Sequence, residues 1–185
     1  QGKNGIAALL FAAIGGQPTQ VQWFSRLAMA GWADMEYGHG GNGIGRHWQP
    51  LGANMGGTNA MAAFMANRRW CDALTRRCDG SFTYECINDV PYSTANYWDS
   101  QTYGDYFDPT AWNALHLACA KQKLLITGRS ADPTNTLNAV MITNDLWAAA
   151  YPVNVSSYGT NQLLNNLSEF HPSVRKLAAL QLAAQ

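Results

Sequence analysis

Charge is scarce in this sequence. Asp, Glu, Lys and Arg together make up 13% of its 185 residues, about half of the roughly 25% usual in soluble domains. The formal net charge is zero. Nucleic-acid grooves and polybasic membrane patches both need a cationic excess, so this balance excludes them. No apolar run reaches about 18 residues, and no segment therefore reads as a transmembrane helix. The four cysteines, Cys71, Cys78, Cys86 and Cys119, form no CxxC pair, which argues against zinc sites of the finger or ribbon type. Strand-like alternation of apolar and polar residues is also missing.

What is present is apolar and aromatic. The apolar share is 47%, with seven Trp and eight Tyr, enough for a buried core. So little charge on so aromatic a chain suggests that more protein covers part of it. Gly5 to Ile14 has only Lys3 before it and no cleavage-like site, so it reads as a core helix and not as a signal peptide. The start at Gln1 and the stop inside a helical pattern suggest a piece of a longer protein. Cys71 and Cys119 fall on helical stripes and are expected to be buried as small hydrophobes. Cys78 and Cys86 flank a turn; an extracytoplasmic setting would allow a disulfide, and two free thiols are the alternative.

The pattern is helical throughout. Asn4 is placed to cap a helix carrying Ile6, Leu9, Leu10, Ala13 and Ile14, ended by Gly15-Gly16. A second helix runs from Pro18 to about Ala33. A long one spans Thr58 to Arg76, with Ala60, Ala63, Phe64, Trp70, Cys71 and Leu74 on one stripe. Arg68, Asp72 and Arg76 stand four apart and read as a solvated ion-pair face. From Cys78 to Asp108 the helical pattern lapses. Five tyrosines with Phe82, Trp98 and Phe107 speak against disorder there, and the loop is expected to pack as a cover. Asp108-Pro109 starts a helix that runs to Gly128. A polar link, Arg129 to Thr136, precedes helices over Leu137–Ala150, Ser157–Leu167 and Pro172–Ala184.

Between the second and third helices lies EYGHGGNGIGRHWQPLGANMGG, Glu36 to Gly57, the chain's densest run of glycine. It carries His39 and His47, two of the four histidines. Glycines between helices let backbone come close to another backbone or to a ligand.

Repeated helical hairpins mean a solenoid or a closed ring. The segment LTRRCDGSFTYE, Leu74 to Glu85, resembles the DGxW-like repeat end of the terpenoid-cyclase and prenyltransferase toroids, with Phe82 where Trp is commoner. LLNNLSEFHPSVRKLAALQLA, Leu163 to Ala183, is similar to a HEAT repeat. With GKNGIAALLF, GHGGNGIGRHWQPLGANMGG, RRCDGSF and KLLITGR, the part from Gly2 to Gly128 resembles an uncharacterised bacterial family of α/α-toroid domains followed by HEAT-like repeats. The resemblance implies an all-α fold, with a toroid portion over 1–152, which includes the long loop 78–108, and a HEAT-like pair over 153–185. It implies no reaction. A closed toroid takes more hairpins than fit here, so other parts of the same protein or partner chains are expected to complete it.

Toroids generally use the ring centre as a pocket. His39, Asn42 and His47 are expected to point there, with Glu36 and Asp34 just before them and Asp79 and Tyr84 from the RRCDGSF turn. A histidine beside a carboxylate is suited to moving a proton on a saccharide-like ligand. Helical-toroid polysaccharide lyases share this task among Asn, His, Tyr and Arg, although no lyase motif is matched here. Glu85 joins Asp34, Glu36 and Asp79 as a carboxylate for glycoside hydrolysis. The competing reading is structural: buried His and Asn satisfying the backbone of a tight turn. His116 reads as a core histidine and Asp79-Gly80 as a turn. His39 and His47 lack a metal-ligand spacing, and the zinc motifs of lanthionine-synthetase-like toroids are missing. DDxxD and DxDD are also missing, which removes prenyl transfer and terpene cyclisation. No cofactor is implied. The two expected roles are an enzyme or binding domain for a polar glycan, and a scaffold that docks partners.

Overall fold

A computed structural model describes residues 2–32, 43–82, 110–121, 124–128, 132–149, 158–170 and 172–184. His39, Asn42, Glu36, Tyr84, Asp34, Glu85 and Cys86 lie outside them, as does the expected packing of the loop 83–109. The described chain is all-α. Its helices are α1 (Lys3–Ile14), α2 (Pro18–Ala30), α3 (Gly43–Met55), α4 (Thr58–Thr75), α5 (Thr110–Ala120), α6 (Ala139–Ala149), α7 (Thr160–Asn166) and α8 (Pro172–Ala183). A 3₁₀ turn occupies Pro133–Asn135. Among the described residues no strand forms, and one isolated bridge joins Arg76 to Phe82.

The C-terminal half of the glycine-rich stretch is helix, where the sequence reading placed a loop. Tertiary packing overrides glycine's poor helix propensity there. A Cβ on Gly52 would lie 2.5 Å from the Cα of Gly5, and one on Gly5 would lie 1.9 Å from the Trp48 carbonyl oxygen. Backbone meets backbone where α1 crosses α3, and only glycine fits on either side.

That crossing turns α1 over. Its buried residues are Gly5 and Ala8. Ile6, Leu10 and Ile14, expected inside, are 39%, 56% and 59% exposed. The helix begins at Lys3 with Gly2 as its cap, and Asn4 lies inside it. In α4 the phase shifts in the same way. Phe64, Arg68, Cys71 and Thr75 are buried, while Trp70 and Leu74 face out. Arg68 therefore belongs to the interior and not to a solvated ladder. The fifth helix ends at Ala120, short of the Gly128 expected from its apolar run.

The main core joins Met29, Ala53, Ala60, Phe64, Leu137 and Ile142. A second cluster holds Leu51, Met61 and Cys119. Each large apolar side chain buried this way contributes about 1.5–3 kcal/mol. The α7–α8 pair closes over Leu163 and Ala178. Its connecting turn is fixed by Arg175, which donates to the carbonyls of Glu169 and Phe170 at 2.7 and 2.6 Å. Phe170 meets Trp23 of α2 edge-on and lies 3.7 Å beneath the Arg26 guanidinium. Arg26 in turn forms a forked pair with Asp145 of α6.

Candidate functional site

Pro50 sits inside α3. It has no N–H to give to the carbonyl four residues back, that of Arg46, and its ring crowds that turn of the helix. Buried side chains from two other helices meet the carbonyls there. Arg68 Nη1 donates to Arg46 O at 3.2 Å, and His116 Nε2 donates to His47 O at 2.9 Å. Arg68 also lies 3.3 Å from His116 Nδ1, donates to Asn113 Oδ1 at 2.9 Å and forks onto Asp72 Oδ1 at 2.6 and 3.1 Å. A guanidinium is only a donor, so Nδ1 of His116 accepts and Nε2 carries the proton. Burial, reinforced by the Arg68 charge, holds the His116 pKa well below its usual value, consistent with this neutral tautomer. Arg46 itself is buried and donates to Thr75 Oγ1 at 2.7 Å. The polar cluster thus ties α3, α4 and α5 together.

Two of the six expected site residues fall in described positions. His47 stacks on Trp112 with 4.2 Å between ring centres and meets Trp48 edge-on. Burial, then the Arg68 charge, lowers its pKa to about 4, so it is neutral at pH 7. Its Nδ1 is buried and has no hydrogen-bond partner among the described residues. Asp79 is exposed in the turn that follows α4. Its Oδ1 accepts from the Ser81 amide at 2.9 Å and the Ser81 hydroxyl at 2.7 Å, and the hydroxyl bond comes first in lowering its pKa. Gly80, at φ 89°, completes the turn. The contacts of His47 are thus aromatic and those of Asp79 are with its own turn.

A cleft the sequence reading did not single out lies at the other end of the glycine-rich stretch. It has a volume of about 140 Å³ and is bounded by the α1–α2 turn, the α3–α4 turn, residues 125–127 and the 3₁₀ turn. Gly57, at φ 98°, makes the α3–α4 turn. Leu137 N–H donates to Gly56 O at 2.8 Å, and Leu137 is anchored in the main core. This bond holds the segment carrying Asn135 against the turn that carries Asn54. Both asparagines line the cleft. The side-chain oxygen of each is buried and lacks a hydrogen-bond partner among the described residues. Asp132, also at the cleft, caps the 3₁₀ turn by accepting from Thr134 N and Oγ1 at 2.9 and 2.6 Å. The signals for this site were the Asp132-Pro133 turn start and the closing Gly56-Gly57, read in sequence as a link and a helix boundary.

Among the described residues no group of three or more His, Cys, Asp or Glu is arranged to hold a metal ion, and no helix is long and apolar enough to cross a membrane. A family model matches residues 1–128, which include the cleft-lining residues from Phe11 to Thr127 and leave Asp132 and Asn135 outside. The chain belongs to the domain family of unknown function DUF6288. The DUF6288 match spans α1 to α5 and ends at Gly128, ahead of the 3₁₀ turn and α6. Neither a curated protein nor a solved structure matches the chain.

Proposed function

We propose that this DUF6288 domain binds a small, polar, saccharide-like ligand, and that the glycine-rich stretch serves it through its C-terminal end, Asn54 to Gly57. The observation that carries the reading is the pair of buried, unpartnered carboxamide oxygens in one cleft. A buried acceptor left without a donor costs about 1–3 kcal/mol, and a ligand hydroxyl relieves that cost once the asparagine side chain turns its oxygen into the cleft. On this reading the paired helices are part of an α/α toroid, with the cleft where its inter-helix turns meet. Saccharide titrations followed by calorimetry and thermal shift test it. A binding sugar should raise the Tm of the native chain. Asn54→Leu and Asn135→Leu should abolish that rise while leaving the unliganded Tm equal or higher, since each removes an unsatisfied group. A ligand-induced rise that survives both replacements would defeat the proposal.

A second reading rests on α1. Ile6, Leu10 and Ile14 form an exposed apolar stripe along one helix, as expected of a scaffold on which further helices of the same protein or a partner chain dock. Replacing all three with Ser should leave the fold intact and abolish such docking, read by light scattering on the larger assembly.

A further inference from the structure

The cleft holds enough detail to name the charge and size of what it takes, an inference that rests on reading it as a ligand site. We propose that it seats a single uncharged sugar ring, gripped through hydroxyl hydrogens by Asn54 and Asn135, and that it rejects acidic sugars.

Size comes first. The cleft measures about 140 Å³, and a cavity of about 150 Å³ accommodates benzene. Such a volume takes at most one six-membered ring, so further sugar units must lie outside. Hydrogen-bond polarity comes next. Both orphaned atoms are carboxamide oxygens, which are acceptors only. A hydroxyl satisfies such an oxygen by donating to it. A carboxylate or phosphate oxygen would set lone pair against lone pair.

Charge points the same way. Among the described residues, Asp132 is the one ionisable side chain lining the cleft, and no Lys or Arg lines it. Thr134 donates to Asp132 from its hydroxyl and its amide, which favours the ionised carboxylate. A ligand anion would enter against this charge, with no cation among the described lining residues to offset it. The rest of the wall includes Phe11, Val21 and Ile126. These apolar groups suit the C–H faces of a sugar ring whose edge carries the hydroxyls.

The test uses the whole chain and sugars that differ in charge alone. Glucose, galactose and mannose are titrated beside glucuronate, galacturonate and mannuronate at pH 7. Binding is read by calorimetry and by shifts of the asparagine side-chain amide signals in NMR spectra. At least one neutral sugar should bind and shift the Asn54 and Asn135 signals, with its uronate at least tenfold weaker. Asp132→Asn should narrow that gap by strengthening uronate binding relative to that of the neutral sugar. A uronate that binds as tightly as the neutral sugar and still depends on Asn54 would overturn the charge inference and leave the ligand site standing. Calcium alone shifting both asparagine signals would make the oxygens cation ligands and overturn the sugar assignment. If no sugar binds, the ligand-site reading falls and this inference falls with it.

Discussion

Pro50 and Arg68 show how one residue's deficit is another's function. The proline withholds a donor from the Arg46 carbonyl, and a buried guanidinium 3.2 Å away provides one. Arg68→Leu removes that donor and the ion-pair partner of Asp72, so stability should drop by about 1–3 kcal/mol. In a Pro50→Ala background, residue 50 regains its own N–H. The loss on removing Arg68 should then shrink by about 1 kcal/mol, measured as the coupling energy of a double-mutant cycle in urea. Perfect additivity would show that the guanidinium does not compensate the proline. The two histidines beside this cluster set a pH dependence. His47 is lowered from 6.5 to about 4 and His116 well below 6.5. A depressed folded pKa means that the unfolded chain binds protons first as pH falls. Stability from both histidines is therefore full above pH 6.5 and lost as pH falls toward 4. The urea midpoint should already decline between pH 7 and 5, above the ordinary carboxylate range, and a flat midpoint there would contradict the assignment. Two parts of this were legible beforehand, the Arg68–Asp72 pair and His116 as a core residue; the burial of Arg68 was not. An Arg68–Asp72 spacing on a helix looks the same whether it faces water or a neighbour's broken backbone.

At the scale of elements, the helices themselves were readable and their faces were not. Pro18 at the start of α2 and Gly15-Gly16 before it mark the boundary that the structure has. The large apolar residues of α1 misled because hydrophobicity was used as a guide to burial. In a backbone-to-backbone crossing the smallest residues go inside, and Ile6, Leu10 and Ile14 are left on the outer face. For the same reason α3 was invisible: its glycines were read as breakers when they are contact points. Gly5→Ala should lower stability by about 1–3 kcal/mol or more, because its Cβ would meet the Trp48 carbonyl and backbone cannot step aside. Gly16→Asn makes a fair control, since space is open around Gly16 and Asn tolerates its φ of 68°. Thermal unfolding of the pair should separate them clearly, and equal Tm losses would refute the close-crossing account. The cleft was half legible. Its glycine turn stood out, but Asn54 and Asn135 are 81 positions apart in numbering, and no local pattern announces that they share a wall.

At the scale of the molecule, one aromatic side chain joins the C-terminal pair to the rest. Phe170 lies between Trp23 and Arg26, and Arg26 is committed to Asp145. Burial raises the Asp145 pKa despite the Arg26 hydrogen bonds that work to lower it. Phe170→Ala should loosen α7 and α8 from α2, raising amide exchange in 160–183 while α1 to α5 stay protected. Uniform protection along both parts would mean that other contacts carry the joint.

The bond from Leu137 N–H to Gly56 O has a further consequence. Sequence similarity ends the family match at Gly128, yet the main core does not close until Leu137 and Ile142 are in place. A polypeptide cut at Gly128 would therefore possess every residue of the matched region and lack part of its own interior. Met29 and Phe64 would lose neighbours, and the α3–α4 turn would lose its clamp. Such a fragment should misassemble or be cleared by proteases, whereas one carried through α6 should persist. The matched region is shorter than the stretch whose side chains make up the main core.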